Sequence, residues 1–145
     1  MIIKIDKIKE LLPHRNPFLF LDWCEILDIG KKGIGRKKFL DNEYFFNGHF
    51  PNKPIVPGVI LIEALAQTAG TVVSHSLGFK NKKSVLFTSI TNAKFRRPVL
   101  PNDELLFHVD LINQVKFVYK FSGEARRDNE KVCDAVFSAM IIKNE

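Results

Sequence analysis

Cysteine is scarce in this chain: its 145 residues include two, Cys24 and Cys133, far apart and each set in an apolar run. That excludes a disulfide scaffold and reads as a pair of reduced core thiols in a cytoplasmic protein. Glycine and proline are also few, at 8 and 7, which excludes a collagen-like or low-complexity chain. Long hydrophobic runs are missing. The most apolar stretch, Val59 to Val73, contains Glu63 and Gln67 and falls short of the ~20 residues that span a bilayer, so no membrane insertion is expected. The first residues, MIIKIDKIKELL, scatter lysine among apolar side chains and lack the ordered regions of a secretory leader. Acidic residues are outnumbered, 16 against 22 Lys and Arg; the net charge of +6 favours an acidic partner without naming one.

What is present is the composition of a globular protein, 46% hydrophobic and 26% charged, sufficient at this length for one compact domain over residues 1–145. A short amphipathic helix is expected first, capped by Asp6, with Ile8, Leu11 and Leu12 on one face and Pro13 stopping it. Phe18 to Ile29 reads as a strand, Gly30 to Gly35 (GKKGIG) as a turn, and Arg36 to Leu40 as the returning strand. GKKGIG lacks Walker spacing and no helix pattern follows it, which argues against a phosphate loop. After an irregular stretch, Pro57 introduces a helix from Val59 to His75 that is apolar on nearly every face, so other structure must enclose it; Gly78 stops it. The rest reads as strands: Ser84 to Thr91, Ala93 to Arg97, Glu104 to Gln114, Val115 to Ala125 and Val132 to Ile142. This order belongs to α+β folds in which an antiparallel sheet packs on a helix, here with the sheet curled around it.

In an enclosed helix the polar residues are the informative ones. Glu63, Gln67 and Thr71 recur every fourth residue, drifting only ~40° per step, and form one stripe. A buried carboxylate without a partner costs several kcal/mol. Glu63 therefore hydrogen-bonds a loop, faces a subunit interface, or does chemistry. The preceding loop, NGHFPNKPIVPGV, holds one imidazole, His49, which is either a packing histidine or a base suited to neutral pH. The amides of Gly58 and Val59 should emerge from the helix N-terminus, where partial positive charge stabilises an oxyanion. Glycine at 58 lets a carbonyl come close to the backbone. Glu63 lies five residues on, ~7.5 Å along the axis. That spacing suits acid–base chemistry on a group two carbons from the bound carbonyl.

These residues resemble a known family, the (3R)-hydroxyacyl-acyl-carrier-protein dehydratases of type II fatty acid synthesis. The likeness runs from LLPHRNPFLFLD (Leu11 to Asp22) through GHFPNKPIVPGVILIEALAQTAG (Gly48 to Gly70) to FRRPVLPNDEL (Phe95 to Leu105). Asn102 stands where the family usually has glycine, and asparagine also suits that turn. The resemblance implies a hot-dog fold and a homodimer, commonly assembled into a hexamer as a trimer of dimers, with the His and the Glu of one site coming from different subunits. It also implies a hydro-lyase acting without metal or redox cofactor on a substrate carried by the phosphopantetheine arm of acyl carrier protein. His49 would take the C2 proton, the Gly58 amide would hold the thioester oxygen, and Glu63 would protonate the leaving C3 hydroxyl. That acid must hold its proton near pH 7, which enclosure among apolar side chains favours. Glutamate at 63, rather than aspartate, favours the branch that dehydrates without isomerising.

Gln67 would orient Glu63 or a water. Most of the 13 phenylalanines read as core. Phe50, and with it Leu86 and Phe87 from a facing strand, are candidates to line the acyl tunnel. His14 reads as a residue fixing the turn from Pro13 to Pro17, His75 suits a helix C-terminus, and His108 reads as a strand residue. None has metal-ligand spacing with a second His or Cys. Basic clusters occur at Lys31-Lys32, Arg36-Lys37-Lys38, Lys80-Lys82-Lys83, Arg96-Arg97 and Arg126-Arg127. Arg96 and Arg97 are the first choice for docking the carrier protein, because they fall in a family-matching segment. Two other readings compete with this one. An acyl-thioester hydrolase on the same fold is disfavoured by the His49/Glu63 pair. A basic nucleic-acid-binding module is disfavoured because the aromatics alternate with aliphatics, not with Lys and Arg.

Overall fold

The computed structural model describes residues 1–78 and 83–143. Strand β1 (Ile2–Lys4) leads into helix α1 (Ile5–Leu11), followed by β2 (Trp23–Asp28), β3 (Lys32–Lys38) and a 3-10 turn at Tyr44–Asn47. The long helix α2 (Gly58–Leu77) then precedes β4 (Lys83–Phe95), β5 (Glu104–Val115), β6 (Val118–Arg127) and β7 (Glu130–Lys143). The strands form one antiparallel sheet in the order β1-β2-β3-β5-β6-β7-β4.

Helix α2 touches every strand from β2 to β7. Seven strands ~4.8 Å apart span ~29 Å, against ~10 Å for a helix, so the sheet must curl to reach it. The core lies between them, with Phe20, Phe39, Phe107, Phe121, Phe137 and Leu65 fully buried. From Ile60 to Ser74 every α2 residue except Glu63 is buried. The enclosure expected from its composition is therefore met. Gly78 ends the helix in the left-handed conformation, φ 68°, its N–H reaching the carbonyls of Ser74 and His75.

Several boundaries differ from the sequence reading for identifiable reasons. Asp6 lies in the first turn of α1 and does not cap it; the N-cap is Lys4, where β1 ends. Phe18 to Asp22 is not strand. Its backbone is bonded instead by the Gln67 side chain, which accepts the Phe20 N–H at 2.8 Å and donates to the Phe18 carbonyl at 3.0 Å, so β2 starts only at Trp23.

The turn in GKKGIG is shorter than expected, because β3 already begins at Lys32. Gly33 and Gly35 face α2: a Cβ on Gly33 would sit 2.5 Å from Val72 Cγ2, and one on Gly35 would collide with Thr68. These glycines let helix and sheet approach. The two strands expected around residue 92 are one strand, β4, with a register shift between Thr91 and Lys94 and Asn92 at φ 54°. The β5–β6 turn falls at Lys116-Phe117 rather than before Val115, with Lys116 at φ 54°.

Candidate active site

The loop between β3 and α2 is anchored by Phe45 and Phe46, both buried in the 3-10 turn. From there the chain closes on itself: Phe50 and Lys53 exchange backbone bonds of 3.2 and 3.0 Å, and the Ile55 N–H reaches the His49 carbonyl at 2.9 Å. His49 Nδ1 lies 2.8 Å from the Ile55 carbonyl oxygen. A carbonyl only accepts, so Nδ1 carries the hydrogen and the neutral ring presents a lone pair at Nε2. Phe50 stacks on the imidazole with ring centroids 4.1 Å apart. The same loop is fastened to the segment after β4 by Val56, whose N–H meets the Val99 carbonyl at 2.8 Å. Arg127 holds that segment from below, donating to the Pro98 carbonyl at 2.9 Å and to Asp103 at 2.7 Å. Asn102 sits in its turn at φ 71°, a conformation asparagine tolerates where glycine would be usual.

His49 lines a cleft of 440 Å³ together with Gly58, Val59, Phe95, Arg96 and Val99. Pro57 is the N-cap of α2 and no side chain caps the helix, so the first N–H groups, at Gly58 and Val59, have no intrahelical acceptor. A Cβ on Gly58 would lie 2.6 Å from the Phe95 ring; glycine here lets that ring pack against the start of the helix. A base with a free lone pair and a helix N-terminus thus face one apolar cleft. That arrangement can take a proton from a carbon while holding negative charge on an adjacent oxygen.

Glu63 lies in a different, adjoining cleft of 450 Å³, lined by Phe18, Val59, Ile60, Phe87, Ile90 and Phe95. Val59 and Phe95 line both clefts and form the ridge between them. The Glu63 side chain is 18% exposed. Its Oε2 accepts from Gln67 Nε2 at 2.9 Å and lies 3.3 Å from His14 Nε2. Gln67, fully buried, thus hydrogen-bonds Glu63 and pins the Phe18–Phe20 backbone besides. The Thr71 hydroxyl bonds back to the Gln67 carbonyl at 2.9 Å.

The structure thus keeps Gly58 and Val59 with His49, and Gln67 with Glu63, but it does not bring His49 and Glu63 into one cleft of one chain. Phe87 lines the Glu63 cleft. Leu86, its neighbour on β4, lines neither, since successive strand residues face opposite ways. Phe50 packs on His49 without lining either cleft. Arg96 and Arg97 rim the His49 cleft and are held by Asp134 at 2.8 Å and Glu130 at 3.4 Å.

The other described basic clusters are largely tied into internal ion pairs: Arg36 with Asp22 and Glu104, Lys37 with Glu43, Lys32 with Asp110, Arg126 with Glu124, Arg127 with Asp103. The cluster Lys80-Lys82-Lys83 lies outside the described side chains. Burial pushes the His108 imidazole down, against the opposing pull of Glu124.

The sequence reading missed His14, Phe18, Ile90 and Phe95 as site residues. The signal for His14 was its place in LLPHRNPFLFLD. For the aromatics it was there only in hindsight: of the twelve described phenylalanines seven are buried, while Phe18, Phe87 and Phe95 are exposed and meet at the Glu63 cleft.

Known proteins share this architecture and sequence. The dehydratase heterocomplex ApeI:P from Xenorhabdus doucetiae superposes with a TM-score of 0.78 at 13% identity, covering 94% of this chain and 91% of that one, a likeness of fold. The 3-hydroxyacyl-[acyl-carrier-protein] dehydratase FabZ of Gluconobacter oxydans (strain 621H) is 49% identical over 142 residues, 97% of this chain and 83% of its own. The FabZ of Rhodospirillum rubrum is 43% identical over 144 residues, 99% and 90% respectively. The model of the FabA-like domain matches residues 12–136, which include both clefts, the helix between them and most of the sheet; the chain belongs to the FabA-like family, on the hot-dog fold.

Proposed function

We propose that this protein is a 3-hydroxyacyl-[acyl-carrier-protein] dehydratase of fatty acid biosynthesis, converting a (3R)-hydroxyacyl thioester to the trans-2-enoyl thioester and water. The observation that carries the reading is His49, with its Nε2 lone pair free, in one cleft with the uncapped Gly58 and Val59 amides, in a chain 49% identical to a FabZ.

The thioester carbonyl sits at the α2 N-terminus. His49 Nε2 takes a proton from C2, and the C2–H electron pair moves toward the carbonyl oxygen, where the Gly58 amide meets the developing charge. The pair then forms the C2–C3 double bond as the C3–O bond breaks, and Glu63 gives its proton to the departing hydroxyl. His49 has gained one proton and Glu63 has lost one, and exchange with water resets both. No metal or redox group takes part.

The acid and the base come from two copies of the chain. Among the described residues, edge strand β4 pairs on one side only and exposes Phe87, Ile90 and Phe95 beside Val59, which is 72% exposed. Covering this apolar edge with a second copy makes an antiparallel homodimer, in which the His49 cleft of one subunit meets the Glu63 cleft of the other. Three dimers form a hexamer. Arg96 and Arg97, at the mouth of the His49 cleft, meet the acidic acyl carrier protein, whose arm delivers the substrate. The buried free thiols Cys24 and Cys133 suit a reducing cytoplasm.

The test is the ultraviolet assay of enoyl-thioester formation with His49→Ala and Glu63→Gln. Each should lose at least 100-fold in kcat, the lower bound for a positioned acid or base (~10²–10⁴); near wild-type turnover in either overturns the scheme. Release of free thiol from acyl thioesters would point to hydrolysis instead. With carrier-bound substrate, kcat/KM should fall as salt rises; indifference to salt removes the docking role of Arg96 and Arg97.

A further inference from the structure

Glu63 Oε2 faces two nitrogens, and only one of them lies on its own helix. Gln67 uses its whole amide: Oε1 accepts the Phe20 N–H, while Nε2 donates to both the Phe18 carbonyl and Glu63 Oε2. The second is His14, from the turn between α1 and β2, with Nε2 3.3 Å from the same Oε2. Its side chain is 14% exposed, and its Nδ1 is buried without a hydrogen-bond partner. Nε2 is the ring nitrogen with an acceptor in reach, so the hydrogen belongs there, on the side facing Glu63.

The turn that carries His14 is braced. Arg15 caps the end of α1, donating to the Lys9 carbonyl at 2.9 Å, to Leu12 at 2.9 Å and to His14 itself at 2.7 Å. The imidazole is thereby set from the backbone side. Nothing about fixing the turn requires the ring to reach Glu63.

We infer that His14 is a positioning residue for the acid: with Gln67 it saturates Glu63 Oε2, reserving Oε1 for the transferable proton and stabilising the carboxylate left after that proton departs. This inference rests on the reading of Glu63 as the acid. Both donors bind the neutral acid through its carbonyl oxygen and the carboxylate through a charged one. Bonds to a charged acceptor are roughly twice as strong. The gain falls on the transition state rather than on the bound substrate, and so on kcat rather than KM.

The test compares His14→Asn, a turn-tolerant residue whose amide stops short of Glu63, with His14→Gln, whose amide reaches the position of the imidazole Nε2. The Asn variant should lose about tenfold in kcat, with KM within twofold, the order expected for one charge-assisted bond. The Gln variant should recover at least half of wild-type turnover. In a Glu63→Gln background, His14→Asn should change the residual rate by less than twofold, because the residue acts through Glu63. Wild-type turnover in His14→Asn, equal losses in the Asn and Gln variants, or the same tenfold loss without Glu63 would each overturn the inference. Full activity of Glu63→Gln alone overturns the reaction reading beneath it; an inactive Glu63→Gln with an active His14→Asn overturns the role of His14 and leaves that reading standing.

Discussion

Gln67→Leu tests how far one side chain, which also bonds Glu63, fastens the Phe18–Phe20 segment to α2. The substitution keeps size and burial but removes an amide that is fully enclosed. Two backbone groups lose their partners: the Phe20 N–H, buried, and the Phe18 carbonyl, partly buried. An orphaned buried group costs ~1–3 kcal/mol, and the partly exposed carbonyl belongs at the low end of that range. Leucine returns ~1 kcal/mol through apolar burial. The net loss is ~1–3 kcal/mol. With an unfolding entropy of ~2.1 cal/mol/K per residue over 145 residues, or ~0.3 kcal/mol/K, this lowers Tm by ~3–10 °C. Thermal unfolding followed by circular dichroism at one protomer concentration reads it, since association shifts Tm with concentration. Thr68→Val is the control. The Thr68 hydroxyl donates to the Ala64 carbonyl, which keeps its helical N–H partner when the hydroxyl goes, so the variant should cost less than ~1 kcal/mol. If Gln67→Leu melts within 2 °C of wild type (on the order of 0.6 kcal/mol by the same conversion), or Thr68→Val costs as much, the amide is not what fastens the Phe18–Phe20 segment to α2.

Burial pushes the Cys24 and Cys133 thiols up to about 12, with Glu25 and Asp134 adding to it. Neither should react with a disulfide reagent at neutral pH until the protein unfolds, and then both should; labelling of the native protein would contradict this. The Arg36 guanidinium hydrogen-bonded to Glu104 holds its carboxyl below the usual carboxylate range. The stability this contributes is present in full above the unfolded value of ~4.3 and is lost as pH falls through the lower folded value. Glu104→Gln should therefore reduce Tm at neutral pH and converge on wild type in acid, whereas a constant offset would refute the linkage. Ile90→Lys on the β4 edge should reduce the molar mass by light scattering to that of the 16.6 kDa chain and abolish turnover; an active assembly of unchanged mass would show that this edge is not the subunit contact.

The parts of this molecule that could be read from sequence are those where one residue type contradicts its neighbours. Glu63 and Gln67 interrupt a helix with no exposed apolar stripe, and His49 interrupts a loop of small and apolar residues. Burial makes such exceptions costly, and they are kept where a partner or a reaction compensates. The helix, its αL stop at Gly78 and most strands follow from periodicity and turn chemistry in the same way. Features set by a distant partner could not be read. The turn at Lys116-Phe117 has no glycine, asparagine or aspartate to announce its positive φ; pairing of Val115 with Val118 imposes it. Phe18 to Asp22 has the composition of a strand, but the Phe20 N–H and the Phe18 carbonyl are taken by the Gln67 amide, 47 residues from Phe20.

Local reading also placed His49 and Glu63 in one site because they flank one helix start. In the folded chain Val59 and Phe95 stand between their clefts. Both ridge residues are apolar and mostly exposed, on the same side as the unpaired β4 edge. A ridge of that kind is a barrier within one chain and a contact surface between two. In the homodimer proposed above, the same two residues that separate His49 from Glu63 would supply the surface on which a second copy reunites them.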